Sequence, residues 1–266
     1  MDIQDARMIL IEQIAFWNGL INVNQLAQQF GLSRQQASKT LSLYRQLAPD
    51  NLTFDHHQHC YKATSHFQCQ QYTPDSQAYL QSLVGSHNAP YVQLIEQPQR
   101  SIAVNVLRPM TQALAQHLAL DCHYNAISGE AQERLIAPHT LVYAAGRWHL
   151  RAWCFLRQQY RDFVLSRFTY ASLDEQKPCP PATQDSHWHT FIELQFSPDS
   201  RLSTTHQQLL AHEYGMTDGV LTLRVRAPLA NYQLKAMSIH PHIVAADPHA
   251  QQLVLVNKRD IEQWLY

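Results

Sequence analysis

The residues best placed to do chemistry lie between Val23 and Leu47, in VNQLAQQFGLSRQQASKTLSLYRQL. Arg34, Gln35, Gln36, Ser38 and Lys39 crowd into one short polar stretch that carries no acid. Arginine and lysine pair with guanine and glutamine pairs with adenine, so such a set at the start of one helix can read base edges in the major groove. Ser42 and Arg45 lie further along and suit phosphate oxygens. Ser33, which opens the helix, completes the candidate DNA-contacting set.

A second concentration spans residues 134–167, with six arginines against one acid, Asp162. A guanidinium fork grips phosphate or carboxylate through two bonds, so several converging arginines would make an anion site. Strand alternation puts His149, Arg151 and Trp153 on one side and Trp148, Leu150, Ala152 and Cys154 on the other. It likewise groups Arg161, Phe163, Leu165 and Arg167 if Tyr160 to Phe168 is one strand. Tyr124, Ser128, Arg134 and His139 fall on adjacent segments and can complete a pocket for an anionic effector, a nucleotide or single-stranded nucleic acid. Arginines on a solvated outer face would give the same periodicity.

These residues need elements to hold them. Gly31 can adopt the left-handed conformation that ends a helix. Ser33 and Gln36 then form an S-x-x-Q capping box that starts the next helix near Arg34, with Ala37, Leu41, Tyr44 and Leu47 as its buried stripe. An amphipathic helix from Ile3 to Trp17 precedes this helix-turn-helix. Leu52–Asp55 and His59–Lys62 follow as strands about a His56-His57-Gln58 turn, where His56, His57, His59 and Lys62 can meet phosphate. Together these elements make a winged helix. An ordinary helical hairpin with a solvated face is the competing reading of the motif alone.

Further along, Thr73-Pro74 starts a helix to about Val84, and Pro90, Pro98 and Pro109 break up the rest of a connector. After a short helix from Thr111 to His117, five strands are expected: Leu118–Ile127, Glu133–Ala137, Leu141–Ala144, Arg147–Phe155 and Tyr160–Phe168. Short strands with close turns suggest a small antiparallel barrel. Past Pro178, Pro180 and Pro181, strands at Thr190–Phe196, Val220–Ala227 and Gln252–Val256 alternate with helices at Thr205–Tyr214, Leu229–Met237 and Lys258–Leu265. That pattern makes a small α+β sandwich. The expected domains are therefore 1–65 (winged helix), 66–110 (connector), 111–177 (barrel) and 178–266 (C-terminal α+β unit).

Composition narrows the function. With 266 residues and 45% hydrophobic content, ordinary cores can form. There is no run of 18 apolar residues, so no membrane span is expected. MDIQDARM has no apolar signal core, and five cysteines without C-x-x-C pairing suit free thiols in a reducing cytoplasm. Net charge is −1, so the cationic character is local, in the two places above. No phosphate loop or G-x-S-x-G elbow occurs, and His212-Glu213 lacks the second histidine of H-E-x-x-H. His187-x-His189 and His240-x-His242 lack a suitably spaced third ligand. Neither an enzyme nor a metal or other cofactor is expected.

Three motifs, in order, carry a resemblance: Leu32–Ser38 with Leu43-Tyr44-Arg45-Gln46-Leu47-Ala48-Pro49; Arg134–His139 with Arg147–Cys154; and Tyr160–Phe168. The chain resembles the WYL-domain transcriptional regulators, most of all those encoded beside BREX and CBASS phage-defence clusters. The tripeptide that names the family reads Trp148-His149-Leu150 here, a departure at its middle residue. The resemblance implies an α+β multidomain protein: an N-terminal winged helix, a central Sm-like, SH3-type β-barrel, and a small C-terminal α+β dimerisation domain. It implies a homodimeric repressor on an inverted repeat in double-stranded DNA, controlling a defence operon or its own promoter. It also implies an effector in the barrel, held by Tyr124, Ser128, His139, Arg151, Arg161 and Arg167, with His149 where relatives carry tyrosine. The other reading kept open is a non-regulatory nucleic-acid sensor or accessory factor of a defence system.

Overall fold

The computed structural model describes residues 2–84, 91–95, 98, 100–127, 129 and 131–265. It divides into two compact units, Met1–Ile95 and Glu96–Tyr266.

In the first unit, α1 (Ile3–Asn18), β1 (Leu20–Ile21), α2 (Val23–Phe30), α3 (Arg34–Leu47), β2 (Leu52–Asp55), β3 (Cys60–Ala63) and α4 (Ser76–Leu83) follow in order. The strands form an antiparallel sheet in the order β1-β3-β2. Local signals set the helix ends. Asn22 and Gln25 cap α2, Gly31 closes it at φ 60°, and Ser33 and Gln36 cap α3. Met8, Ile11, Leu26, Leu41 and Tyr44 form the core with Leu52 and Tyr61. One expectation fails on α3: Leu47 is 57% exposed, and Ala37, Thr40, Leu41 and Tyr44 are the buried positions. His59 belongs to the wing turn, at φ 50°, rather than to the strand.

Glu12 fastens this unit. Its buried carboxylate accepts the Tyr44 hydroxyl and the backbone N–H groups of Gln70, Gln71 and Tyr72. The segment after the wing is thereby tied to both α1 and α3. Burial, with Glu12 adding to it, raises the Tyr44 hydroxyl above its usual range.

The second unit starts with α5 (Val104–Gln116), which contains Pro109. The proline was expected to interrupt structure. As the sixth residue of the helix it leaves the Asn105 carbonyl without its intrahelical donor and crowds it with its ring, and the packing of Val106, Met110 and Ala113 carries the helix through. The strands β4 (Ala119–Asn125), β5 (Ala131–Ala144), β6 (Arg147–Cys154), β7 (Gln159–Val164) and β8 (Phe168–Asp174) form an antiparallel sheet in the order β7-β6-β5-β4-β8. Val106, Met110 and Ala113 of α5 pack on Leu120, Ile136, Leu150 and Phe163. The ladders leave β7 and β8 as edges, with no pairing between them among the described residues.

Two strand expectations change. The segments expected at 133–137 and 141–144 are one strand, because the register shift between Pro138 and Thr140 takes up the proline as a bulge. Tyr160–Phe168 is not one strand: a 3-10 turn, Leu165–Arg167, separates β7 from β8. Simple alternation therefore does not carry from Arg161 to Arg167.

The remainder comprises α6 (Ser186–His189), β9 (Phe191–Pro198), α7 (Thr204–Glu213), β10 (Leu221–Arg226), α8 (Ala230–Ala236), β11 (Leu253–Leu255) and α9 (Lys258–Ile261). An antiparallel sheet in the order β10-β9-β11 buries Leu194 and Phe196 against Ala230, Leu234 and Ile261. No helix among the described residues is long and apolar enough to cross a membrane.

Candidate functional site

The first site is the start of α3. Arg34, Gln35, Gln36, Lys39, Ser42 and Arg45 are exposed and Ser38 is half-buried, because the core-facing stripe takes Ala37, Thr40, Leu41 and Tyr44. The candidate contacts are not equally free. Ser33 and Gln36 bond each other, with the Ser33 N–H donating to Gln36 Oε1 at 2.9 Å. Arg45 lies over the Tyr61 ring, 5.5 Å from its centre, which steadies it beside the wing. Arg34, Gln35, Ser38 and Lys39 thus form the open polar face. On the wing, Asp55 accepts the His57 and Gln58 N–H groups and pairs with Lys62 at 2.7 Å. Lys62 and those two amides pull the Asp55 carboxyl down to about 2. Lys62 is therefore partly neutralised, while His56, His57 and His59 are exposed at the tip.

The second site is a cavity of about 430 Å³ beside β6 and β7, lined by Tyr124, Arg147, His149, Arg161, Arg167 and Tyr232, among others. A neighbouring lobe of about 310 Å³ shares Tyr124, Arg161, Asp162 and Arg167, and adds Arg134 and Arg157. Arg161 and Arg167 come together although they stand on different elements, β7 and the 3-10 turn. Tyr124 is held edge-on to Phe163 and Phe168, and its hydroxyl accepts the Val164 N–H. The buried Arg134 leaves its Nε without a hydrogen-bond partner among the described residues. Ser128, expected as an effector contact, lies outside the described residues.

Arg151 and His139 are engaged elsewhere. Arg151 lines the cavity, but its Nε and Nη2 donate to Asp185 at 2.7 and 3.0 Å, and its Nη1 donates to Asp162 at 3.2 Å. His139, the extra residue at the β5 bulge, meets Asp185 through Nε2 at 3.1 Å. Asp185 caps α6 by accepting the Trp188 N–H. Burial would raise the Asp185 carboxyl, but Arg151, the Trp188 amide and His139 outweigh it and hold it below the usual range. Burial lowers His139 despite Asp185.

Sequence reasoning missed Asp185 and Tyr232. Tyr232 reaches from α8 to His149 Nδ1 at 3.2 Å and Asp162 Oδ2 at 3.3 Å. Asp185 stands in a proline-rich stretch that reads as a linker. Arg147, one of the six arginines of residues 134–167, was not among the expected effector contacts, yet it lines the cavity.

His149 is nearly fully buried among Arg147, Arg167 and Lys235, and burial followed by those cations lowers it to about 4. A depressed pKa contributes stability above the unfolded value, near 6.5, and loses it as pH falls towards the folded one. Each withheld proton then costs about 1.4 kcal/mol per pH unit. An NMR titration should place the His149 imidazole near 4 and raise it when a polyanion binds. A value of 6.5 or above in the free protein would contradict this environment.

Three family profiles match the chain. The BrxR transcriptional regulator winged helix-turn-helix domain matches residues 4–85, the WYL domain 105–173, and the BrxR transcriptional regulator C-terminal dimerization domain 191–261. The DNA-binding transcriptional repressor CapW of Stenotrophomonas maltophilia is 30% identical, covering 98% of this chain and 92% of that protein. The chain belongs to this family of WYL-domain regulators. CapW of Escherichia coli (strain KTE188) is 32% identical, and CapW of Pseudomonas aeruginosa 26%, each alignment covering 97% of this chain. Within the BrxR/CapW family the helix-turn-helix falls in the N-terminal profile, and the arginine-lined cavity is built mainly from the WYL segment. Tyr232 falls within the C-terminal profile and reaches that cavity.

Proposed function

We propose that the chain is a transcriptional repressor that binds an inverted repeat in double-stranded DNA as a homodimer, at its own promoter or that of a phage-defence operon. The observation that carries the reading is the open Arg34-Gln35-Ser38-Lys39 face on a helix that follows a tight glycine turn. CapW relatives aligned over nearly the whole chain, and named DNA-binding transcriptional repressors, support it. Arg34, Gln35, Ser38 and Lys39 read bases, Gln36 reaches the same groove from its cap, and Ser33, Ser42 and Arg45 hold phosphate. One such helix spans too few base pairs for selectivity, so two half-sites are needed, joined through residues 178–266. The sheet of residues 111–177 acts as a small SH3-type barrel. Its cavity takes an anionic effector, a nucleotide or nucleic acid, through Tyr124, His149, Arg161 and Arg167, with Arg147 added. Arg151 and His139 hold the cavity's frame through Asp185. The protein works in the cytoplasm and has no catalytic role.

Gel-shift titration on the DNA upstream of the protein's own reading frame, against random DNA at fixed salt, tests this. Preference for the specific site is expected at about 10³-fold or more. Arg34→Ala with Lys39→Ala should remove about 1–3 kcal/mol per lost base contact. Equal binding to random DNA would defeat the autoregulator reading and favour an accessory sensor.

A further inference from the structure

The turn of the wing is made of histidines. Between Leu52 and Ala63 the chain holds one acid, Asp55, one lysine, Lys62, and three histidines, His56, His57 and His59. Asp55 and Lys62 pair at 2.7 Å. With neutral imidazoles the hairpin therefore has no net charge and little hold on a polyanion. Protonated imidazoles would add up to three positive charges, all at the turn.

The backbone presents them. Asp55 accepts the His57 and Gln58 N–H groups, which fixes the turn, and His59 takes the left-handed conformation at φ 50°. The His56 ring stands edge-on to Phe54, with ring centres 5.0 Å apart. All three histidines are exposed, and among the described residues their ring nitrogens meet no acceptor and no acid.

The surroundings add little charge at the tip. Asp55 and Lys62 offset each other, and the buried Cys60 thiol is turned to Gln58. From α3, Arg45 lies over the Tyr61 ring, so β3 joins the wing to the helix that carries the open polar face. α1 gives this core Met8, Ile11 and Ala15, and its Glu12 is taken by Tyr44 and the backbone of Gln70, Gln71 and Tyr72. β1 has only Leu20 and Ile21. Asp50 and His66 stand beyond the open end of the hairpin, away from its turn. An imidazole changes its charge between about pH 5 and 8, and a phosphate beside it favours the charged form.

We propose that His56, His57 and His59 grip DNA phosphate as imidazoliums, so that the wing takes up protons as DNA binds and affinity for duplex DNA rises as pH falls. The proposal rests on the DNA-binding reading above and adds the wing's part in it. The contact is complete below the ordinary imidazole range and is lost as pH rises through the range of the DNA-bound histidines. A wing tipped with arginine would make the same contact without that dependence.

The test uses the full chain, as parent and as the triple variant His56→Gln, His57→Gln and His59→Asn. Asparagine suits the left-handed position of His59. Two labelled duplexes, the DNA upstream of the protein's own reading frame and a random sequence, are titrated by fluorescence anisotropy at about pH 6 and about pH 8.5, either side of the imidazole range. The parent should bind both duplexes about 10-fold or more tightly at the lower pH. Its salt dependence should steepen there by about one phosphate contact for each protonated ring. The variant should match the parent at the higher pH, which also shows that it is folded, and should lose most of the gain at the lower one. Calorimetry in two buffers of different ionisation heat should detect proton uptake by the parent that the variant lacks. A variant that keeps the full pH response places the titrating groups elsewhere and overturns the wing. A variant weakened equally at both pH values shows contact by neutral rings and overturns the protonation. If the parent binds the two duplexes equally but with the expected pH response, the wing stands and the sequence-specific reading fails. If it binds neither duplex, both fail.

Discussion

Asp185→Ala is expected to destabilise the Glu96–Tyr266 unit by about 3–5 kcal/mol, a large share of an ordinary domain's stability. The side chains of Asp185 and Arg151 are 2% and 6% exposed. Removing the carboxylate leaves a buried guanidinium with only Asp162, and leaves His139 and the Trp188 N–H without their acceptor. The loss comes mainly from the unpaired charge, not from the attraction itself. Arg151→Met combined with Asp185→Leu should therefore recover only part of the stability, because it removes the unpaired guanidinium but takes the cation from Asp162 and still leaves His139 and the Trp188 N–H without their acceptor. Urea unfolding followed by hydrogen exchange on β6 measures both variants. A single variant within about 1 kcal/mol of the parent would mean that Asp162 compensates the guanidinium alone. Because the fold depresses the Asp185 carboxyl, its contribution is present above pH 4 and disappears as pH falls further.

Glu12→Gln should loosen the Met1–Ile95 unit by about 3 kcal/mol. The carboxylate takes four donors, and an amide in its place turns an N–H₂ towards some of them. Hydrogen exchange at Gln70, Gln71 and Tyr72 should speed up together, and the melting transition should fall. Tyr44→Phe deletes one of those donors and leaves the three amides satisfied, so its cost should be nearer 1 kcal/mol. Equal effects of the two substitutions would show that the Tyr44 hydroxyl, which donates to Glu12 and accepts from Asn51, and not the three backbone donors, holds the segment.

Local signals made much of the fold legible. Gly31, the Ser33–Gln36 box and the wing turn each act within a few residues, so the winged helix can be read from the chain. The C-terminal alternation of strands and helices is legible for the same reason. The break after β7 is not, because the apolar alternation of Phe163 and Leu165 runs on into a 3-10 turn. Pro109 also misleads, since the packing of α5 carries the helix through it. The arginine-rich segment could be recognised, but the state of each arginine could not. Arg151 is neutralised by a residue 34 positions away, and His149 meets a tyrosine 83 positions away. Such pairings depend on tertiary structure, and no periodicity records them.

The 3-10 turn at Leu165–Arg167 lies outside both neighbouring ladders, yet it sets how far Arg167 stands from Arg161. Lengthening or shortening that turn by a residue would respace the two cations without sliding any strand past its neighbour. On the proposed effector reading, such a change would alter the size of the anion the cavity takes while the sheet stays as it is.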